Sequence, residues 1–216
     1  MPEQPSTSSP NRFERRRAAT RQALIAAARQ ILAERADGDG EVSIQEIAER
    51  ADVGFGSFYN HFSSKGELFD AAVGQALEEY GTALDTVAGG IEDPAETFAA
   101  SVRLTIAMVE SHPEIMRILR RSGLGHIHSD SGLAPRALRD IEKAAASGRF
   151  SVADPQVALA AVGGALLGLI DLRLRHPERT ASDAGEQMAE LVLRMLGMAV
   201  EDAREIARRP LPATPA

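Results

Sequence analysis

The punctuation between residues 37 and 66 constrains this chain most. Asp37-Gly38-Asp39-Gly40, then Asp52-Val53-Gly54, then Ser63-Ser64-Lys65-Gly66 cut it into pieces that leave room only for short helices joined by tight turns. Ahead of the first break, Ala19, Ala23, Ala26, Ala27 and Ile31 recur at helical spacing, which predicts a helix from about Arg15 to Arg35. Ser43 followed by Glu46 is a capping box: the hydroxyl accepts from the Glu46 N–H while the carboxylate returns to the Ser43 N–H. A second helix therefore starts at Ile44 and ends near Arg50. A third spans Phe55 to Phe62, and a fourth runs to about Tyr80 with Leu68, Phe69, Ala72 and Leu77 turned inward. Two short helices flanking a tight four-residue break have the spacing of a helix-turn-helix. Ala48 is small where they cross, and Ile44, Ile47, Val53 and Phe58 supply the apolar wedge that leaves the third helix projecting.

On the outer side of that helix lie Phe55, Gly56, Ser57, Asn60 and His61, a mixture able to reach base edges, thymine methyls and phosphates without a large charge. Tyr59, His61 and Lys65 add a hydroxyl, an imidazole and an ammonium group suited to gripping adjacent phosphates. The chain as a whole is acidic, 24 basic against 31 acidic residues for a net charge of −7, so any polyanion contact must be local. The charge is segregated. Between Arg12 and Arg35 stand seven arginines and only two glutamates. Arg15, Arg16 and Arg17 are either a solvated arm or, beside a helix-turn-helix, candidates for a minor-groove or phosphate contact.

Ser43-Ile-Gln-Glu-Ile-Ala-Glu-Arg-Ala-Asp-Val53, Gly56-Ser-Phe-Tyr-Asn-His-Phe62 and Ser64-Lys-Gly-Glu-Leu-Phe69 together resemble the DNA-binding signature of TetR-family transcriptional regulators, over about residues 15 to 80. The resemblance implies that Tyr59 and His61 contact phosphate, that Lys65 grips the backbone, that Phe55, Gly56 and Ser57 face bases, and that Ser43 caps its helix and touches phosphate. It also implies a homodimer on a palindromic DNA operator, with two recognition helices roughly 34 Å apart. A small-molecule effector would tilt the fourth helix and release the DNA. Two positions depart from the family pattern: Asp52 stands where the turn commonly has Gly, and Gly54 where Ser or Thr commonly caps the recognition helix. Asp tolerates the left-handed conformation and Gly is a passable N-cap, so the turn survives, less stiffly.

Composition agrees with an all-α fold. Aromatics are 4% of the 216 residues, whereas strands select aromatic and β-branched side chains. Cysteine is absent, which excludes disulfides, thiolate metal sites and a Cys nucleophile and points to a reducing, cytoplasmic setting. The predicted architecture is about nine helices: a tail over 1–14, a helix-turn-helix domain over 15–64, a helical effector-binding and dimerisation domain over 65–209 whose first stretch, 65–81, is a connecting helix, and a tail over 210–216. Residues 1–11 lack the pattern of a secretory signal. Val157 to Ile170 is an apolar run of 14 residues, short of the roughly 20 that cross a bilayer, and reads as a buried helix rather than a membrane partner.

The last two helices, from Pro155 to about Arg175 and Ser182 to about Arg208, are the expected dimer face. Ala158, Ala161, Gly164, Ala165 and Gly168 allow close approach, and Met188, Leu191, Met195 and Met198 pack adaptably. The interior of one subunit is the other reading of these residues. An effector pocket, mainly apolar, would be lined by Phe98, Met108, Met116, Leu119, Phe150 and Leu167, with His112 and Asp171 as polar candidates. His126 and His128 could pinch a metal, but without Cys or a helical HExxH they read as solvated loop residues, and no metal or cofactor is expected. No paired nucleophile and base, metal motif or phosphate loop suggests an enzyme. The rival to a regulator is an apolar-ligand sensor or carrier that acts through a protein partner without binding DNA.

Overall fold

A computed structural model describes residues 11–34, 42–122, 125 and 130–212. Those residues contain no strand and ten α-helices: α1 (Arg12–Glu34), α2 (Ile44–Arg50), α3 (Phe55–Phe58), α4 (Lys65–Ala88), α5 (Pro94–Ser111), α6 (Pro113–Ser122), α7 (Leu133–Ala146), α8 (Pro155–Arg175), α9 (Ala184–Met195) and α10 (Val200–Ala207). The all-α expectation holds. The helix starts are chemically marked. The Ser43 hydroxyl accepts from the Glu46 N–H to open α2, and Asp93 and Asp154 cap α5 and α8 with Pro94 and Pro155 at the first helical position.

The chain divides into two compact units, residues 1–72 and 73–216. The first is built around Leu24, Ile25, Ile31, Ile47, Phe58, Phe62 and Leu68, with Ile44 and Val53 packed at the margin. In the second, α5 is central and packs against α6, α7, α8, α9 and α10. One apolar cluster joins Phe98, Val102, Ile141, Phe150, Leu159, Val192, Leu193 and Ile206; another joins Tyr80, Ile106, Val109, Met116 and Ile170.

Several elements differ from their predicted form. α1 starts at Arg12, inside the expected tail, because Asn11 and Glu14 cap each other: the Glu14 N–H donates to Asn11 Oδ1 at 2.9 Å and the Asn11 N–H to Glu14 Oε2 at 2.8 Å. Its packed face is Leu24, Ile25, Ala27, Ala28 and Ile31, while Ala19 and Ala26 of the expected stripe are exposed. In an alanine-rich helix the larger Leu and Ile decide which face burial selects. α3 holds only Phe55–Phe58 as α-helix, and residues 59–61 close it as a turn. The single closing helix is two, because Gly197 at φ +90 turns the chain between α9 and α10. α8 has 21 residues, and an 18-residue stretch of it has a mean hydropathy of 1.9, long and apolar enough to cross a membrane by those measures, yet only 22% of that stretch is buried. The predicted buried helix is thus half-clothed: Leu159, Val162, Ile170 and Arg173 face the core, and Val157, Ala160, Ala161 and Gly168 face outward. His126 and His128, and most of residues 1–14 and 210–216 assigned to tails, lie outside the described residues.

Candidate nucleic-acid interface and ligand cavity

α2 and α3 meet over Ile47, Ala48 and Phe58, each at most 2% exposed, which turns the other side of α3 outward. The turn between them needs a left-handed residue, and Asp52 takes it at φ 53. Gly54 opens α3 with no side-chain cap. Phe55 and Tyr59 are 54% and 56% exposed and meet edge to face, their ring centres 5.9 Å apart. Gly56 and Asn60 are exposed, and Ser57 and His61 half-exposed. All five of the residues predicted on the outer side of the recognition helix are therefore gathered there.

α1 runs beside this surface. Arg16 and Arg17 are exposed on it, Arg15 is exposed elsewhere on α1, and the Arg21 guanidinium carbon lies 5.0 Å above the Phe62 ring, a cation–π contact that ties α1 to the α3 turn. His61 is held below the ordinary imidazole value of 6.5, first by partial burial and then by the charges of Arg17 and Arg21. Both effects favour its neutral form, and an arriving anion would favour the charged one. Ser43 is exposed at the start of α2 as predicted. Lys65 is different: its ammonium donates to the Val42 carbonyl at 2.9 Å, so this cation also fastens the start of α4 to the segment before α2.

In the second unit a cavity of about 130 Å³ opens among α4, α5, α7 and α8. Of the predicted lining, Phe98, Leu119 and Leu167 are there, joined by Leu77, Leu84, Leu133, Leu166 and Ile170. The other predicted residues sit elsewhere. Met116 is fully buried, Phe150 packs edge to face on Phe98 from the core side, and Met108 belongs to the cluster around Ile106. His112 is exposed at the end of α5, bonded to Ser111, and Asp171 pairs outside the cavity with Arg120 and Arg175. Apolarity alone did not separate lining from core, since both are made of Leu, Met and Phe.

The polar wall was missed. Asp85, Arg136 and Asp140 line the cavity together with Ser101 and Thr105. A signal existed: Arg136 and Asp140 are one helical turn apart on the face that carries Leu133 and Ala137, and charge on an apolar face is informative. Arg136 spends all five N–H groups on protein acceptors: Nε on Asp85, one terminal nitrogen on Glu78 and the Gly132 carbonyl, the other on Glu78 and Thr82. Burial raises the Asp85 carboxyl, but hydrogen bonds from Arg139 and Arg136 outweigh it and leave the group below its ordinary value. Asp140 accepts from Arg139 Nε at Oδ1, and Oδ2 accepts from no described residue. Opposite, Tyr80 donates to Thr105, which donates to the Ser101 carbonyl; burial pushes the Tyr80 hydroxyl up to about 12.

Residues 24–72 match the family described as bacterial regulatory proteins, tetR family, and residues 93–209 a tetracyclin repressor-like C-terminal domain. The solved structure of RolR in complex with resorcinol is 35% identical to the chain, with a TM-score of 0.76 over 93% of this chain and 99% of that one. A putative tetR-family regulator from Shewanella sp. PV-4 has a TM-score of 0.65 at 17% identity over 82% of this chain and 97% of its own. Native NalD of Pseudomonas aeruginosa, described as the secondary repressor of the MexAB-OprM multidrug efflux pump, has 0.56 at 22% identity over 84% and 97%. The last two speak for the fold alone. No curated protein matches the chain.

Proposed function

We propose, because this chain belongs to the TetR family of bacterial regulatory proteins and is a DNA-binding transcriptional regulator, that it is a homodimeric repressor released from a palindromic operator by a small, mainly apolar effector. In this reading residues 15–64 are the DNA-binding domain and 65–209 the effector-binding and dimerisation domain. Phe55, Gly56 and Ser57 face bases; Tyr59, Asn60, His61, Ser43, Lys65 and Arg15 to Arg17 face the backbone. The observation that carries the DNA-binding half is the outer side of α3, turned outward because Ile47, Ala48 and Phe58 are buried beneath it. The reading assigns the protein binding and no catalytic step.

The cavity carries the effector half of this proposal. Its volume of about 130 Å³ is close to the roughly 150 Å³ that accommodates benzene in an engineered apolar cavity, so it suits a single ring. Its polar wall selects further. The open Asp140 oxygen asks for a hydrogen-bond donor, and the fully committed Arg136 offers no spare cation to an anion. A neutral one-ring phenol fits, and a carboxylate does not. RolR, bound to resorcinol, supports the same class. Release then needs only about 1 to 3 kcal/mol of coupling, a change of about 5- to 150-fold in DNA affinity.

The experiment is a gel shift on the DNA upstream of the protein's own coding sequence, with resorcinol and benzoate titrated in and each compound's binding measured by calorimetry. Resorcinol should bind and dissolve the shifted band; benzoate should do neither. A band indifferent to bound resorcinol would remove the repressor mechanism, and tight benzoate binding would remove the ligand class.

A further inference from the structure

α1 is longer than its packing requires. Its buried residues run from Leu24 to Ile31, whereas every position from Arg12 to Ala19 is exposed. A helical extension that buries nothing gains no stability from a core, so its residues report what it meets outside the fold. It holds four arginines and Phe13, which at 74% is the most exposed of the large hydrophobic side chains. The reciprocal Asn11–Glu14 cap keeps this stretch helical and fixes where Phe13 stands.

Phe13, Arg16, Arg17 and Thr20 recur at i, i+3, i+4 and i+7, one face of α1. They form one wall of a recess of about 460 Å³, and the opposite wall is Ser57, Asn60 and His61 beside the base-facing side of α3. Among the described residues no carboxylate lines it. The recess thus combines two cations, several hydrogen-bond donors and one apolar plate at its mouth.

We propose that this recess seats one strand of the duplex where it leaves the groove read by α3, with the phosphodiester between Arg16, Arg17 and the Asn60–His61 side of the opposite wall, and the Phe13 ring laid on the deoxyribose of the flanking minor groove. The inference rests on the DNA-binding reading and extends it to Phe13 and Thr20, which act as positioning contacts. A DNA strand alternates phosphate oxygens with apolar sugars, and the recess alternates cations with a ring in the same way. An apolar partner would leave the two arginines without a counter-charge.

The test uses the full-length protein and a duplex that it selects from a randomised pool. Affinity is measured by fluorescence anisotropy across salt concentrations, and the deoxyriboses are mapped by hydroxyl-radical footprinting. Phe13→Ala should weaken binding about tenfold at every salt concentration, with the salt slope unchanged and protection lost at the sugars flanking the site, while its melting temperature stays that of the wild type. Arg16→Gln and Arg17→Gln should each lower the slope by about one and keep that sugar protection. Wild-type affinity in Phe13→Ala, or weakened binding with the flanking protection intact, overturns the proposal. If the wild-type protein enriches no duplex at all, the DNA-binding reading fails first and separately.

Discussion

Asp52 and His61 show how much of the interface is decided by single side chains. At φ 53 Asp52 occupies a region where a Cβ crowds the following carbonyl, and Asp is among the few L-residues that visit it. Asp52→Val, β-branched at the same φ, should cost about 1–2 kcal/mol of stability in chemical denaturation. The Cβ of Gly54→Ser would meet nothing nearer than Ser57 Oγ at 3.8 Å, so a hydroxyl there should add a few tenths of a kcal/mol as a cap. His61 predicts a proton linkage. Burial and then Arg17 and Arg21 hold it below 6.5 in the free protein, whereas a phosphate would raise it, so binding takes up a proton. DNA affinity should rise as pH falls from about 7 toward 6, and His61→Gln should flatten that rise in an anisotropy titration. The turn chemistry was legible in the sequence because it obeys local rules. The Lys65 bond to Val42 and the open oxygen of Asp140 were not, since both depend on residues that meet only after folding.

At the level of elements, α4 and α7 are joined by a clasp. Gly81 makes room for it: a Cβ there would fall 2.8 Å from Arg136 Cδ, so any larger residue displaces the guanidinium from Glu78, Asp85 and Thr82. Hydrogen bonds from Arg136 first, then from the Gly132 N–H, pull the Glu78 carboxyl from 4.5 down to about 2. A depressed acid stabilises the fold above its unfolded value and loses that contribution as pH falls through the folded one. The melting temperature should therefore fall between about pH 4.5 and 2, and Glu78→Gln should show a shallower fall over the same interval. The closing helices test sequence legibility directly. Asp154-Pro155 announced the start of α8 by composition, but Leu196-Gly197-Met198 keeps an apolar rhythm that reads as one continuous helix. The break comes from afar: the Ser151 N–H donates to the Leu196 carbonyl at 2.9 Å, and Gly197 at φ +90 brings its Cα side against Ser151. A Cβ at that position would sit 2.8 Å from the Ser151 carbonyl oxygen, so Gly197→Ala should cost at least about 2 kcal/mol.

For the whole molecule the deciding quantity is apolar surface that one chain leaves uncovered. Val157 on α8 and Leu191 and Met195 on α9 are 66%, 53% and 51% exposed, next to the small outward residues Ala160, Ala161 and Gly168. Of the residues the sequence offered for that face, Ala161, Gly168, Leu191 and Met195 are exposed, whereas Met198 is buried in the subunit's own core and Ala158 and Met188 pack against it. Periodicity finds an apolar face, and only the fold tells which part of it is already covered. We propose that the remainder pairs with a second copy. Val157, Leu191 and Met195, about a third to half covered already, would each contribute roughly 1–2 kcal/mol on full burial, a favourable term to set against the cost of association. Leu191→Glu should place a charge in that contact without disturbing the subunit, because the side chain is exposed there. In sedimentation the variant should run as a monomer with unchanged helix content. A palindrome held by both subunits gains about 10²- to 10⁴-fold from the second engagement, so the monomer should lose operator affinity on that scale. Its ligand cavity, lined from within one chain, should bind resorcinol as the wild type does. A Leu191→Glu protein that still sediments as a dimer would put the pairing surface elsewhere.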